Sequence, residues 1–78
     1  MSEVEILEAM RAVAREQLDL EIDPGAELDR DLALDSMSAT TLIVAIEDRF
    51  RICLPDAELA TVRNVSDLVG LVARRLAC

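Results

Sequence analysis

Few side chains in this chain are equipped for chemistry, and Ser36 is the one whose neighbours set it apart. It follows Asp35 at the head of an apolar run, Asp35-Ser36-Met37-Ser38. The 78 residues include no histidine, so no serine–histidine pair can form to activate a nucleophile. Cys53 and Cys78 are too few and too far apart for a disulfide framework or a zinc site. Cys53, between Ile52 and Leu54, reads as a small core hydrophobe, and Cys78 as an exposed terminal thiol. The acids Asp19, Glu21, Asp23, Glu27, Asp29 and Asp31 crowd one segment, but their order and the place of Gly25 do not match a calcium loop. They read as a solvated acidic loop. With only Gly25 and Gly70 there is no glycine-rich phosphate cradle. These observations argue against an enzyme acting alone and against a metal centre.

At the first residues of a helix the backbone N–H groups lack intrahelical partners, and the positive end of the helix dipole faces outward. A phosphate esterified to Ser36 would sit where that environment favours an anion. The competing reading is a serine that simply starts a helix. Asp-Ser alone does not separate the two, so the surrounding elements must.

Ser2-Glu3-Val4-Glu5 has the form of a capping box, with Ser2 capping and Glu5 reaching back. Ile6, Leu7, Met10, Val13, Ala14 and Leu18 then recur at helical spacing, which predicts a first helix through Gln17. Asp23-Pro24-Gly25 breaks the period, so residues 19–34 form a long loop. Leu20, Ile22, Leu28, Leu32 and Leu34 could pin it. A second helix is expected over Ser36–Phe50 with Asp35 as N-cap. Ala39, Leu42, Ile43, Ile46 and Phe50 share its core face, and Met37, Thr40, Thr41, Val44, Glu47 and Asp48 the opposite one. Met37 and Val44 would leave an apolar spot beside two acids on that outer face, either a docking surface or additional core contact.

Leu54-Pro55-Asp56 interrupts the pattern and starts a short helix to about Ala60. Asn64-Val65-Ser66-Asp67 gives another N-cap, followed by the stripe Val65, Leu68, Val69, Val72 and Leu76. Gly70 inside that last helix costs about 1 kcal/mol relative to alanine. The fold class expected is all-α: a small four-helix bundle of three main helices and one short third helix, with a long first loop. A chain of this length buries only about 60% of its unfolded surface. With 53% apolar residues and Phe50 as the one aromatic, aliphatic side chains must fill a single small core spanning residues 1–78.

The net charge of −8 is uneven. Residues 1–35 carry eleven acids against Arg11, Arg15 and Arg30, whereas residues 36–78 carry five acids and five arginines. Such a surface repels nucleic acid and anionic membranes, and either suits basic protein surfaces or merely keeps a small protein soluble. No signal peptide and no apolar run near eighteen residues occurs, so a reducing cytoplasm is expected.

The run Leu32-Ala33-Leu34-Asp35-Ser36-Met37, the later Leu54-Pro55-Asp56 and the order of helices around them resemble the acyl carrier protein family over essentially the whole chain. In that family the motif is Asp-Ser-Leu after a Leu-Gly run, and Ala33 here replaces the glycine. The resemblance implies that a phosphopantetheinyl transferase moves 4′-phosphopantetheine from coenzyme A onto Ser36, with Asp35 helping the transferase engage the motif. It implies a non-enzymatic, free-standing carrier, expected to be monomeric, that holds acyl intermediates as thioesters. Acyl-transferring, condensing or ligase enzymes would dock transiently on the second helix through Met37, Thr41, Val44, Glu47 and Asp48. Ile46, Leu54, Leu59 and Val62 would shelter the acyl chain between visits.

Carriers of fatty acid synthesis usually present acids soon after the serine, where this chain has Ser38 and Thr41. A dedicated polyketide, lipid or secondary-metabolite pathway is therefore expected over general fatty acid synthesis. An aminoacyl or D-alanyl carrier shares the chemistry. The rival from another class is a helical protein-interaction module that is never modified, distinguished by a Ser36 that no transferase recognises.

Overall fold

Four helices follow one another along the chain: α1 (Glu3–Leu18), α2 (Ser36–Phe50), α3 (Asp56–Leu59) and α4 (Val65–Ala77). They belong to a computed structural model that describes residues 2–28 and 35–77. Asp29, Asp31, Leu32, Ala33, Leu34 and Cys78 lie outside the described residues.

The capping box forms as expected. Ser2 Oγ accepts from the Glu5 N–H at 3.3 Å, and the Ser2 N–H donates to Glu5 Oε1 at 3.0 Å. α1 extends one residue past Gln17 and ends at Asp19, which is left-handed at φ 49°. There the Asp19 N–H reaches the Arg15 carbonyl and the Leu20 N–H the Ala14 carbonyl, which closes the last turn of the helix. α2 has the expected limits and stops at Arg51, left-handed at φ 56°. α3 is shorter than expected by one residue, with Ala60 as its C-cap. At α4 the Asp67 N–H donates to Asn64 Oδ1 at 2.8 Å, while Asp67 Oδ2 accepts from the Arg63 and Asn64 N–H groups.

α1 packs against both α2 and α4. Its stripe buries Ile6, Met10, Val13 and Ala14; α2 contributes Leu42, Ile46 and Phe50; α4 contributes Val65, Leu68, Val69 and Val72. Leu71 is buried as well, although it lies outside the single stripe read from the sequence. α4 is thus covered on a broader face than one stripe. At Gly70 an added Cβ would meet nothing within 4 Å, so the glycine is not required by packing.

The first loop is tied down through residue 28. Ile22 is buried, and Leu20 and Leu28 are half-buried. The Ala26 N–H closes a turn on the Asp23 carbonyl across Pro24-Gly25. The carbonyls of Pro24 and Ala26 accept from the Ser66 and Val65 N–H groups, so the loop supplies partners for the exposed start of α4. Arg11 Nε donates to the Ile22 carbonyl at 3.0 Å, and Arg11 and Arg15 pair with Asp23 and Glu21. Those two acids are solvated as expected, with side chains 82% and 83% exposed, and also pair with α1.

One expectation fails between α2 and α3. Cys53 is exposed, not core. After Arg51 the chain is extended and alternates, with Ile52 half-buried, Cys53 out and Leu54 buried. A period of two, not three to four, governs here. Among the described residues no helix is long and apolar enough to cross a membrane.

Candidate functional site

The start of α2 is held by its neighbours in a way that leaves Ser36 available. Asp35 is extended, with φ −79° and ψ 177°, and its Oδ1 accepts from the Ser38 N–H at 2.7 Å. The Ser38 backbone N–H first, and then the Ser38 hydroxyl, hold the Asp35 carboxyl below the ordinary carboxylate value. Asp35 is thus a fixed negative charge beside Ser36. The Asp35 carbonyl accepts the first helical bond, from the Ala39 N–H at 2.9 Å.

Ser36 is the first residue of the fifteen-residue helix and is exposed. Among the described residues its hydroxyl has no hydrogen-bond partner. The other hydroxyls nearby are placed differently. Thr40 Oγ1 donates to the Ser36 carbonyl at 2.7 Å, Ser38 is half-buried, and Thr41 stands in the second turn, away from the unpartnered N–H groups. Of the four, Ser36 alone combines an open hydroxyl with the helix's positive end. No acid lies in the first turn of α2, so a new negative charge there would face only the N-cap carboxylate of Asp35 at that end of the helix, among the described residues.

Ser36, Met37, Thr40 and Thr41 line a shallow hollow of about 310 Å³. Thr40 also borders a larger groove of about 430 Å³ between α2 and α3. Ala39, Ile43 and Glu47 form its α2 wall; Leu54, Leu59 and Val62 form the wall at α3; Leu68 lies beneath. Positions 36, 39, 40, 43 and 47 follow one helical face, so the groove opens along the side that bears Ser36. Its volume lies within the range of small-ligand clefts. Three of the four residues expected to shelter cargo are in it. Ile46 is not: fully buried, it packs in the core beneath the groove. Ala39 and Ile43, read as core, are half-buried instead because they stand at the edge of the α2 stripe, where the core ends and the groove begins. Position on the helical wheel held that signal.

On the outer face of α2, Met37 is 80% and Val44 54% exposed, so neither is an additional core contact. Thr41, Val44 and Asp48 share a second hollow, of about 350 Å³, with Gln17 of α1. Glu47, also expected to meet partners, has an internal tie. It is half-buried, and its Oε2 accepts from the Leu54 N–H at 2.8 Å, fastening the α2–α3 connection. Among the described residues no three histidine, cysteine or acidic side chains come together to hold a metal ion.

Residues 6–72 match the family model described as phosphopantetheine attachment site. The chain is 31% identical to the acyl carrier protein of Thermosynechococcus vestitus over 80 residues, covering 99% of each. It is 37% identical to the acyl carrier protein of Helicobacter pylori over 70 residues, covering 86% of this chain and 90% of the other. Among solved structures it is similar to the holo acyl carrier protein of Geobacter metallireducens, with a TM-score of 0.81 and 31% identity, covering 92% of this chain and 86% of that one.

Proposed function

The chain belongs to the acyl carrier protein family, and we infer that Ser36 is the residue that bears its 4′-phosphopantetheine. The protein is a carrier rather than an enzyme, and its cofactor is covalent. The single observation that carries the inference is the open hydroxyl of Ser36 at the first position of α2, beside the fixed charge of Asp35. When attached, the arm supplies a terminal thiol that holds an acyl group as a thioester. The chain's own residues do the rest. Ser36 Oγ gives up its proton and bonds to the pantetheine-side phosphorus of coenzyme A, becoming the ester oxygen, while the pyrophosphate bond breaks and adenosine 3′,5′-bisphosphate leaves. The start of α2 accommodates the phosphate's charge. Among the described residues no base contacts Ser36 Oγ, so deprotonation falls to the transferase. Asp35, ionised and exposed, is the group we assign to transferase recognition.

The groove beside Ser36 supports a cargo with an apolar chain, sheltered by Leu54, Leu59 and Val62 between visits to acyl-handling enzymes. Docking on α2 would use Met37, Thr41, Val44 and Asp48. That face is mixed in character. Its first turn has no acid, Glu47 is engaged with Leu54, Arg49 follows Asp48, and two exposed apolar side chains stand in the open. We assign the protein to a dedicated polyketide, lipid or secondary-metabolite pathway with partners matched to this mixed surface. A housekeeping ketosynthase of fatty acid synthesis is expected to use it poorly, and equal turnover with that enzyme's usual carrier would overturn the assignment.

Loading is tested by incubating the protein with coenzyme A and a broad-specificity phosphopantetheinyl transferase, then weighing the intact chain. The wild type is expected to gain one phosphopantetheine mass and Ser36→Ala none. A wild type that stays unloaded while a control carrier is modified would instead support an interaction module.

A further inference from the structure

The groove has one firm wall and one weak wall. α2 is capped and anchored by Leu42, Ile46 and Phe50. α3 is a single turn with no buried residue and no side-chain cap, yet it and its flanks supply Leu54, Leu59 and Val62 to the groove. A helix of four residues does not sustain itself in water, so its placement depends on what ties it to the rest of the fold.

Most of its bonds are internal. The Glu58 and Leu59 N–H groups donate to the Pro55 carbonyl, Ala60 to Asp56, Thr61 to Glu58 and Val62 to Leu59. These bonds keep the turn wound but would travel with it. The Glu58–Arg75 ion pair is different, because it reaches across to the last turn of α4. The two side chains are 38% and 34% exposed, and Glu58 Oε2 is shielded from solvent; among the described residues it accepts no hydrogen bond of good geometry, and the Arg75 charge is what compensates it. Moving α3 away from α4 separates this pair. Removing Arg75 would leave a shielded carboxylate oxygen uncompensated, which favours an outward shift that lets water reach it.

We propose that the Glu58–Arg75 pair is a latch that sets how far the α3 wall yields, and thereby selects which acyl chains the groove shelters. This rests on the reading of the chain as a carrier. Neither residue lines the groove. Both are positioning residues, acting through Leu59 and Val62. With the latch closed the groove favours chains that fit its resting volume. With it open the wall follows the cargo, so short chains lose contact and long ones gain it.

Two measurements test the latch. In unmodified protein, hydrogen exchange at the amides of residues 58–62 is expected to quicken about threefold or more in Arg75→Gln, with α1 core amides unchanged. Glu58→Gln should do the same, and the double variant no more than either single one, since each removes the same interaction. On loaded protein, thioester hydrolysis is compared for butyryl, octanoyl and dodecanoyl groups. The wild type should protect them unequally, and Arg75→Gln should flatten that dependence on chain length. Unchanged exchange, additive effects of the two substitutions, or quicker exchange with an unaltered chain-length profile would each overturn the proposal. Failure of the carrier reading would show separately, as wild-type protein that gains no mass on loading.

Discussion

Replacing Glu47 by alanine is expected to destabilise the fold, although Glu47 lies on the helix proposed to meet partners. Its Oε2 accepts from the Leu54 N–H at 2.8 Å in a partly buried setting, and Leu54 itself is only 4% exposed. A hydrogen bond to a charged group contributes about 1.5–3 kcal/mol. Water can partly reach the freed N–H, which places the loss near the lower end, about 1–2 kcal/mol. In a domain of this size each kcal/mol lowers Tm by about 4–8 °C, so Glu47→Ala should melt roughly 5–15 °C below the wild type. Glu47→Gln keeps an acceptor and loses the charge, and should fall in between. Asp48→Ala is the control: Asp48 is exposed, and such a surface change should stay within about 0.5 kcal/mol. Thermal and urea unfolding followed by circular dichroism give the stabilities, and hydrogen exchange at the Leu54 amide localises the effect. If Glu47→Ala and Asp48→Ala prove equally stable and Leu54 exchange is unaltered, the fastening role is wrong.

Gly70→Ala should stabilise the protein by about 1 kcal/mol in urea unfolding, because the helix interior favours alanine and the added Cβ meets nothing; a loss would mean that α4 packs differently. Asp35 serves as both cap and charge, and two substitutions separate these roles: Asp35→Asn should keep thermal stability at neutral pH and slow transferase loading, while Asp35→Ala should lose both. Since the Asp35 carboxyl is held below its ordinary value in the fold, its contribution is present above the unfolded carboxylate pKa and fades as pH falls through the lower folded value. Urea midpoints followed from neutral pH to about pH 3 should therefore drop less steeply in Asp35→Asn than in the wild type, and parallel curves would count against the cap.

The helices were legible because capping boxes and apolar stripes are local signals. Ser2 with Glu5, Asp35 with Ser38, and Asn64 with Asp67 each place a helix start within a few residues of sequence. Contacts between segments distant in sequence were not. The loop carbonyls of Pro24 and Ala26 meet the start of α4, and Glu47 reaches the Leu54 N–H, through backbone groups that carry no residue-type signature. Cys53 was misread for a related reason. Its apolar neighbours suggested burial, but in an extended segment neighbours face opposite ways, and only Leu54 of that trio is fully inside.

Within the site, Ser36 and its cap were readable from Asp35-Ser36 and the helix that follows. The groove was readable in part. Leu59 and Val62 sit in and after a proline-broken segment too short to bury them, whereas Ile46 is one position round the helix from Glu47 and faces the core. The Glu58–Arg75 pair, seventeen positions apart in sequence, had no local signal at all.

The most direct test is to fragment the loaded protein in a mass spectrometer and locate the added group. It should be found on Ser36, with Ser38, Thr40 and Thr41 unmodified. An adduct on any of those three, or on a residue outside α2, would contradict the assignment of the exposed first hydroxyl of α2 as the anchor.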